Sequence, residues 1–335
     1  GGTGLVGSHL LLNLLKEGKN VRALHRKDSD VALVKKVFSY YVPSEEAIFL
    51  FNNIQWTEAD ITDIPALTEA FMDISQVYHC AALVSFDPSE EKALRKINIE
   101  GTANIVNLCI SFKIDKLCYF SSIATMDKGI SEEMVSENFT WHQERNHSDY
   151  AISKHGAEIE VWRGSQEGLP VIILNPGVVI GPGFWNSGTG KIFSKIWKGL
   201  NYKFPKVTGF VGVQDVARAA VITMESDIYN QQYILVSENI SFEKVFAVAA
   251  KSMAKKPPSK KLKPWMVKIG WFFQLIAGSL FGAKRNLTSS DSRSLFQQTY
   301  YNNAKIRQEF SFEFTPVKNV IMETGRIFKK EHSSN

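Results

Sequence analysis

The sequence predicts an α/β fold in which a parallel sheet is covered by helices on both faces. Three observations support this prediction: a glycine-rich turn that opens a helix, short apolar strands that alternate with helical segments, and a length of 335 residues. That length suffices for one large α/β domain or for two unequal lobes. The composition, 44% hydrophobic and 22% charged, is typical of a globular protein and excludes a disordered or collagen-like chain.

The glycine-rich turn GGTGLVG opens the chain, and the apolar spacing that follows predicts a helix over 5–15 that ends at Gly18. Glycines allow a backbone to approach a pyrophosphate closely, and a helix N-terminus supplies unpaired N–H groups. A fold of this type places about five or six apolar residues in a strand before such a turn. We therefore expect the first strand to be truncated here. The predicted dinucleotide-binding residues of the turn are Gly1, Gly4, Leu5, Val6 and Gly7.

Further along the chain, strands are predicted over 20–25, 54–59, 76–80, 116–121 and 170–174, and helices over 65–72, 90–112 and 150–167. Their alternation, with nearly continuous apolar strands, predicts a doubly wound parallel sheet. After Gly177 the chain turns to loops rich in glycine and proline. We expect 1–176, rejoined by 213–237, to form the nucleotide-binding part, and 177–212 with 238–330 to form a smaller substrate-binding lobe.

The residues that follow the second strand favour NADP(H) over NAD(H). A site that prefers NAD places an acidic residue there to bind the ribose, whereas this chain carries His25, Arg26 and Lys27. Because a guanidinium forms a planar fork that matches a phosphate, Arg26 is expected to bind the 2′-phosphate. NAD(H) stays open if Asp28 or Asp30 contacts the ribose instead.

Two further sets of residues carry side chains suited to cofactor binding or catalysis. Asp60, with Ile61, follows the third strand and could accept a hydrogen bond from the adenine amino group, or it could cap a helix. Ser122 follows the strand over 116–121, and Tyr150 and Lys154 are four residues apart, on one face of a predicted helix.

The tyrosine is the expected acid and base. Its pKa must fall from about 10 by about three units, or about 4 kcal/mol, to exchange protons at neutral pH. One ammonium about 4 Å away, at an effective dielectric of about 20, supplies roughly that energy. We expect Lys154 to do this for Tyr150, and Ser122 to bind and orient the substrate oxygen while a nicotinamide exchanges a hydride.

Together these motifs resemble the extended short-chain dehydrogenases/reductases, the NAD-dependent epimerase/dehydratase family, over nearly the whole chain. The matching segments are GGTGLVG, Asp60-Ile61, His79-Cys-Ala-Ala82, KINIEGTANIV, YFSSIAT, YAISK, NPGVVIGPG and VQDVARA. The resemblance implies a Rossmann fold in which Ser122, Tyr150 and Lys154 are catalytic. It also implies further cofactor-binding residues, namely Ala81, Ala82 and Ser121, with Pro176, Val178 and Val179 over the nicotinamide. For Asn98, a helix-packing role stays open.

The chain departs from the pattern of the nucleotide-sugar epimerases in this family. Those proteins resemble RPxNVYGP where this chain reads NPGVVIGP, so that Val178 replaces the asparagine that would contact a sugar nucleotide. Residues 125–127 likewise replace a Val-Tyr-Gly. These changes resemble the dihydroflavonol reductase and 3-beta-hydroxysteroid dehydrogenase branches, whose substrates are more apolar. We expect an oxidoreductase that acts on an apolar ketone, aldehyde or secondary alcohol. A nucleotide-sugar epimerase or dehydratase and a non-catalytic NADP(H)-sensing module are the alternatives.

The net charge of +5 conceals one basic segment, because residues 251–285 hold nine Lys and Arg and no acid. The 15 uncharged residues between Lys268 and Lys284 would form a helix of about 22 Å, shorter than the ~30 Å of a bilayer core. An apolar stripe within it favours a lid over the substrate pocket, and leaves peripheral membrane contact through 264–285 as the alternative. The stripe consists of Ile269, Phe272, Phe273, Ile276 and Leu280.

The sequence also predicts where in the cell the protein is located and what it binds. The cysteines Cys80, Cys109 and Cys118 cannot pair evenly, which indicates reduced thiols and a cytoplasmic location. No histidine spacing typical of a metal site is present in the sequence, so no metal is expected. No nucleic acid partner is expected, since no recognition helix or base-stacking sheet accompanies the basic segment. A homodimer through the helices over 90–112 and 150–167 is the expected form of self-association.

Overall fold

The computed structural model describes residues 1–128, 132–139, 141–267 and 295–333. The whole apolar stripe predicted between Ile269 and Leu280 lies outside these residues, so both the lid and the membrane-surface helix stay predictions. Among the described residues, no helix is long and apolar enough to cross a membrane.

The first part of the chain alternates strands and helices, as the sequence predicts. The strands are β1 (Val21–His25), β2 (Ile54–Glu58), β3 (Gln76–His79), β4 (Lys116–Phe120) and β5 (Val171–Pro176). The helices are α1 (Leu5–Lys16), α2 (Val31–Phe38), α3 (Ser44–Asn52), α4 (Ile64–Ala70), α5 (Glu91–Leu94), α6 (Gly101–Ser111) and α7 (Asp149–Gln166). A π-helical stretch, Arg95–Glu100, joins α5 to α6. Gly18 ends α1 with a φ of +73°, a conformation that glycine adopts without strain.

The strands are parallel, but they form two sheets. β1 pairs with β2, while β3, β4, β5 and the later strand β9 (Gln231–Leu235) form a four-stranded sheet in that order. In the described part of the chain, β1 and β3 lie on opposite sides of a cavity of about 500 Å³ and do not pair. The single sheet that the sequence predicts is therefore divided at this point. The strand expected before Gly1 stays a prediction.

Helices cover both faces of the four-stranded sheet, which confirms the doubly wound fold. Side chains of β4 alternate between the faces, as strand geometry requires. Cys118 and Phe120 pack with α1 and with α9 (Val213–Glu225), whereas Leu117 and Tyr119 pack with α6 and α7. Every residue of β4 and β5 is buried, as expected for parallel strands covered on both faces.

The C-terminal part is built from shorter elements around an aromatic core. They are β6 (Val178–Ile180), α8 (Gly190–Trp197), β7 (Tyr202–Lys203), β8 (Val207–Gly212), β10 (Glu238–Ser241), α10 (Phe242–Ser252), β11 (Lys260–Lys261), α11 (Ala304–Phe310) and α12 (Val317–Ser333). β8 pairs with β6 in parallel and with β10 in antiparallel fashion, and β7 pairs with β11. Trp185, Phe193 and Phe328 lie together in the core beside this sheet.

Candidate active site

The glycine-rich turn packs against the residues that follow β3. The Gly4 amide donates to the Gly1 carbonyl oxygen over 3.1 Å, and Gly4 immediately precedes α1. A Cβ on Gly1 would lie 2.5 Å from the Ala81 nitrogen, and a Cβ on Gly7 would overlap the Gly1 carbonyl oxygen. Only glycine fits at these two positions, because backbone atoms already occupy the space that a side chain would need.

A cavity of about 220 Å³ opens beside this turn, at the carboxyl ends of β1, β2 and β3. Its lining brings together seven of the predicted cofactor-binding residues: Gly1, Gly4, Arg26, Asp60, Ile61, Ala81 and Ala82. Leu5, Val6 and Gly7 lie in the first turn of α1. Pro176 ends β5, and Val178 and Val179 begin β6, outside the described lining of the cavity.

Asp60 closes a turn at the edge of the cavity. Its carboxylate accepts hydrogen bonds from the Thr62 hydroxyl over 2.7 Å and from the Thr62 amide over 2.9 Å. The hydroxyl contact is the main reason that the pKa of Asp60 lies below its ordinary value. The helix cap that the sequence also allowed for Asp60 belongs to Asp63, whose side chain accepts from the Ala66 amide at the start of α4.

Ser122, Tyr150 and Lys154 converge at the carboxyl end of β4. Ser122 is the second residue after that strand, and its side chain interacts with that of Tyr150. The Lys154 ammonium donates to the Phe120 carbonyl oxygen over 2.7 Å and lies 4.2 Å from the centre of the Tyr119 ring. Lys154 is 1% exposed, so this charge is held almost entirely by protein groups.

The pKa values in this cluster differ from the sequence-based expectation. Burial raises the pKa of Tyr150, and the hydrogen bond from Ser122 acts in the opposite direction. Burial also lowers the pKa of Lys154 to about 7, against the opposing effects of Glu158 and Cys80. The expectation that the pKa of Tyr150 lies about three units below its ordinary value was wrong for this structure, because burial raises that pKa. The ammonium is engaged by the Phe120 carbonyl, and burial of the phenol dominates.

Asn98 connects two segments of the candidate site, a role that the sequence left open. It is 1% exposed and lies in the π-helical stretch before α6. Its side-chain oxygen accepts from the Leu83 amide over 2.8 Å, and its nitrogen donates to the Leu83 carbonyl and to the Ser153 hydroxyl. Asn98 thus ties the cavity-lining segment after β3 to α7, the helix that carries Tyr150.

Phe86 is a site residue that the sequence analysis missed. Its ring centre lies 5.7 Å from that of Tyr150, and 59% of the residue is exposed. Neighbouring Val84 is 61% exposed. Both lie in an irregular segment that shows no periodicity, so no sequence signal marked them. By contrast, Trp185 packs in the C-terminal core and donates to Glu331.

The residues present fit a nicotinamide dinucleotide. The glycine turn leaves no room for side chains at Gly1 and Gly7, and the adjoining cavity carries an arginine and a carboxylate. The buried Ser121 hydroxyl has no hydrogen-bond partner within the described structure. An unpaired buried hydroxyl is costly, and a polar ligand would satisfy it.

The sequence model of the NAD dependent epimerase/dehydratase family matches residues 1–234. The chain belongs to this family. It is similar to sterol demethylase protein B of Methylococcus capsulatus, with 25% identity over 73% of this chain and 70% of that protein. It is also similar to cinnamoyl-CoA reductase 2 of Medicago truncatula, with 24% identity over 99% of this chain and 90% of that protein. Among solved structures, a UDP-glucose 4-epimerase from Thermotoga maritima has a TM-score of 0.75, with 19% identity over 99% of this chain and 98% of that one.

Family membership places the chain among NAD(P)-dependent oxidoreductases and epimerases, enzymes that act on small molecules with a nicotinamide cofactor. The structural likeness to the epimerase, at 19% identity, supports the shared fold.

Proposed function

We propose that this protein is an NADPH-dependent reductase of an apolar ketone or aldehyde, able to oxidise the corresponding alcohol in reverse. The observation that carries the proposal is that the Ser122 and Tyr150 side chains interact at the carboxyl end of β4, where the buried Lys154 also lies. Two hydroxyls and one ammonium suffice to bind a carbonyl oxygen and give it a proton.

Each residue has a distinct part in the proposed reaction. Bound cofactor supplies the hydride. The Ser122 and Tyr150 hydroxyls donate hydrogen bonds to the substrate oxygen, and Tyr150 transfers its proton to that oxygen as negative charge develops there. The nearby Lys154 ammonium favours the tyrosinate that results. The glycine turn, with Gly1, Gly4 and Gly7, would hold the pyrophosphate, and Ser121, Pro176, Val178 and Val179 would line the nicotinamide end.

Selectivity for NADPH is supported by the groups around the ribose end of the cavity. His25, Arg26 and Ser29 line it, and they present donors that suit a 2′-phosphate. Asp30, which could bind the ribose of NAD(H), instead accepts from the Leu33 amide and caps α2. We therefore assign Arg26 to the 2′-phosphate and Asp60 to the adenine end.

An apolar substrate is supported by the exposed Phe86 ring next to Tyr150 and by Val84 on the same segment. The similar reductase carries the name of an aromatic thioester substrate, cinnamoyl-CoA. We place the rest of the substrate site in the lobe formed by 177–212 and 238–330, with 1–176 and 213–237 on the cofactor side.

We also propose a homodimer through α6 and α7, and contact of the segment 264–285 with either the substrate or a membrane surface. Ile159, which is 54% exposed on α7, supports the homodimer. Trp265, which is 57% exposed beside exposed lysines, supports contact through the segment 264–285. A cytoplasmic location agrees with three free cysteines.

The decisive experiment follows oxidation of NADPH in the presence of a panel of aliphatic and aromatic carbonyl compounds. Tyr150→Phe should lower kcat by about 10² to 10⁴-fold, because the proton donor is lost. Its affinity for NADPH should stay near that of the unaltered protein. Tyr229→Phe is the matched control, since Tyr229 is 55% exposed on the surface, and it should change neither quantity.

Other outcomes identify the alternatives. Interconversion of nucleotide sugars without net oxidation of NADPH would indicate an epimerase or dehydratase. NADPH binding with no turnover of any compound would indicate a sensing module. Full activity in Tyr150→Phe would contradict the proposed acid.

A further inference from the structure

A buried polar network lies directly behind the Ser122 turn. Glu158 is four residues after Lys154 on α7 and is 2% exposed. One of its carboxylate oxygens, Oε1, lies 2.9 Å from the Thr125 hydroxyl, 2.7 Å from the Asn175 side-chain nitrogen and 3.3 Å from that of Gln232. Three polar side chains converge on this one buried oxygen, which fixes the position of the Glu158 side chain.

The network connects the site to three elements of the fold. Asn175, on β5, also donates to the Ser122 carbonyl oxygen over 3.0 Å and accepts from Gln232, on β9, over 2.9 Å. Thr125 lies in the short helical turn that follows Ser122, with its hydroxyl 2.9 Å from the Ser122 carbonyl oxygen. Glu158 therefore joins the backbone of the Ser122 turn to α7, the helix that carries Tyr150.

The same carboxylate acts on Lys154. Burial is the largest effect on the pKa of Lys154 and lowers it to about 7, whereas the negative charge of Glu158 raises it. The other titratable groups around the ammonium are His79 and Cys80 at the end of β3, Tyr119 on β4 and Tyr150 on α7.

We propose that Glu158 is a positioning residue with two effects: it holds the Ser122 turn, and with it the Ser122 hydroxyl, opposite Tyr150, and its charge acts on Lys154, four residues earlier on the same helix. The inference rests on the proposed reductase reaction, in which Lys154 supports proton release by Tyr150. Neither effect requires Glu158 to touch the substrate.

Two substitutions of Glu158 distinguish the two effects. Glu158→Gln keeps an oxygen that can accept from Thr125 and Asn175 but removes the charge, whereas Glu158→Ala removes both. The matched control is Glu160→Gln, which removes one negative charge from the same helix at a partly exposed ion pair with Arg163.

For Glu158→Ala we expect a fall in kcat of about 100-fold with the KM for NADPH within about threefold, because the reacting groups lose their relative position. Amide hydrogen exchange of 121–126, measured by mass spectrometry on the whole protein, should become faster. Glu158→Gln should restore most of this protection, because the oxygen that accepts the bonds is kept.

The pH profile tests the charge. Removing a negative charge lowers the pKa of Lys154, so the ammonium is lost at a lower pH, and reductase activity should decline at a pH lower by about one unit in Glu158→Gln. Glu160→Gln should keep the profile of the unaltered protein. A Glu158→Gln profile identical to that of the control would overturn the charge effect.

The hydrogen-exchange readout does not depend on catalysis. If the unaltered protein reduces no carbonyl compound, the proposed function fails, while faster exchange at 121–126 in Glu158→Ala still supports the positioning effect. Unchanged exchange in Glu158→Ala would overturn that effect whatever the activity. If Glu158→Ala does not fold, Glu158→Asp takes its place, because the shorter side chain draws the carboxylate away from Thr125 and Asn175. Faster exchange at 121–126 in that variant supports the positioning effect, and unchanged exchange overturns it.

Discussion

The two parts of the molecule hold their cores together in different ways. Around the four-stranded sheet, side chains of β4 and β5 alternate between two faces, one of which meets α6 and α7, the helices next to these strands in the sequence. In the C-terminal part, the core contains an aromatic cluster gathered from distant segments, with Trp185 and Phe193 meeting Phe328 from the last helix. The proposed cofactor-binding and acid–base groups lie in the first part. The second depends on a few large side chains, so its stability should be concentrated in them.

The largest effect is expected from Phe328→Ala. Phe328 is 1% exposed, and its ring lies 5.0 Å from Trp185 and 3.9 Å from His332. Loss of a buried aromatic ring costs about 3–5 kcal/mol of unfolding free energy, measurable by urea denaturation. Phe49→Ala is the control, because Phe49 is 64% exposed and its loss should cost less than about 0.5 kcal/mol. An equal loss in both variants would remove the contrast between the two parts.

Gly4→Ala tests the cofactor side, where we expect a loss of binding without a comparable loss of stability. Gly4 has a φ of −90°, and a Cβ there would lie 3.5 Å from the Gly1 carbonyl oxygen, an ordinary contact, so alanine fits the fold. The methyl group would occupy space in which the backbone approaches a pyrophosphate. NADPH affinity, measured by isothermal calorimetry, should fall by about 100-fold, or about 2.7 kcal/mol. The urea midpoint should stay close to that of the unaltered protein. Tight NADPH binding by this variant would contradict the proposed role of the turn.

The sequence predicted the fold well where its signals are local. Strand and helix bounds around β4, α7 and β5 lie within two residues of the expected ones, because apolar periodicity and the glycine turn act over short distances. The sequence analysis missed α2 and α3 between β1 and β2, although Val34, Val37 and Phe38 repeat at helical spacing in α2. It assigned no individual element within 177–212, although β6 and β8 pair there. Strand pairing and aromatic contacts between distant residues leave little trace in a local pattern.

The candidate site shows the same contrast between features set by local sequence and features set by distant residues. Ser122, Tyr150 and Lys154 were predicted from spacing and do lie together. The pKa of Tyr150 was mispredicted, because it depends on burial by residues far away in the sequence. Glu158 shares a helix face with Lys154 at a spacing of four, but its partners on β5 and β9 are brought to it by the fold.

Arg26→Ala gives the smallest and most selective of these effects. The guanidinium lines the cavity from an exposed position after β1, so its removal should leave the unfolding free energy unchanged. A lost charge-assisted contact to a 2′-phosphate should weaken NADPH binding by about tenfold, or about 1.4 kcal/mol, and leave NADH binding within about twofold. Lys27→Ala removes the same charge one residue later, at an exposed position outside the described lining of the cavity, and should change the NADPH to NADH ratio little. Equal losses for NADPH and NADH in Arg26→Ala would show that Arg26 does not read the 2′-phosphate. Cofactor choice would then depend on another group at the same end of the cavity, where His25 and Ser29 also line the wall.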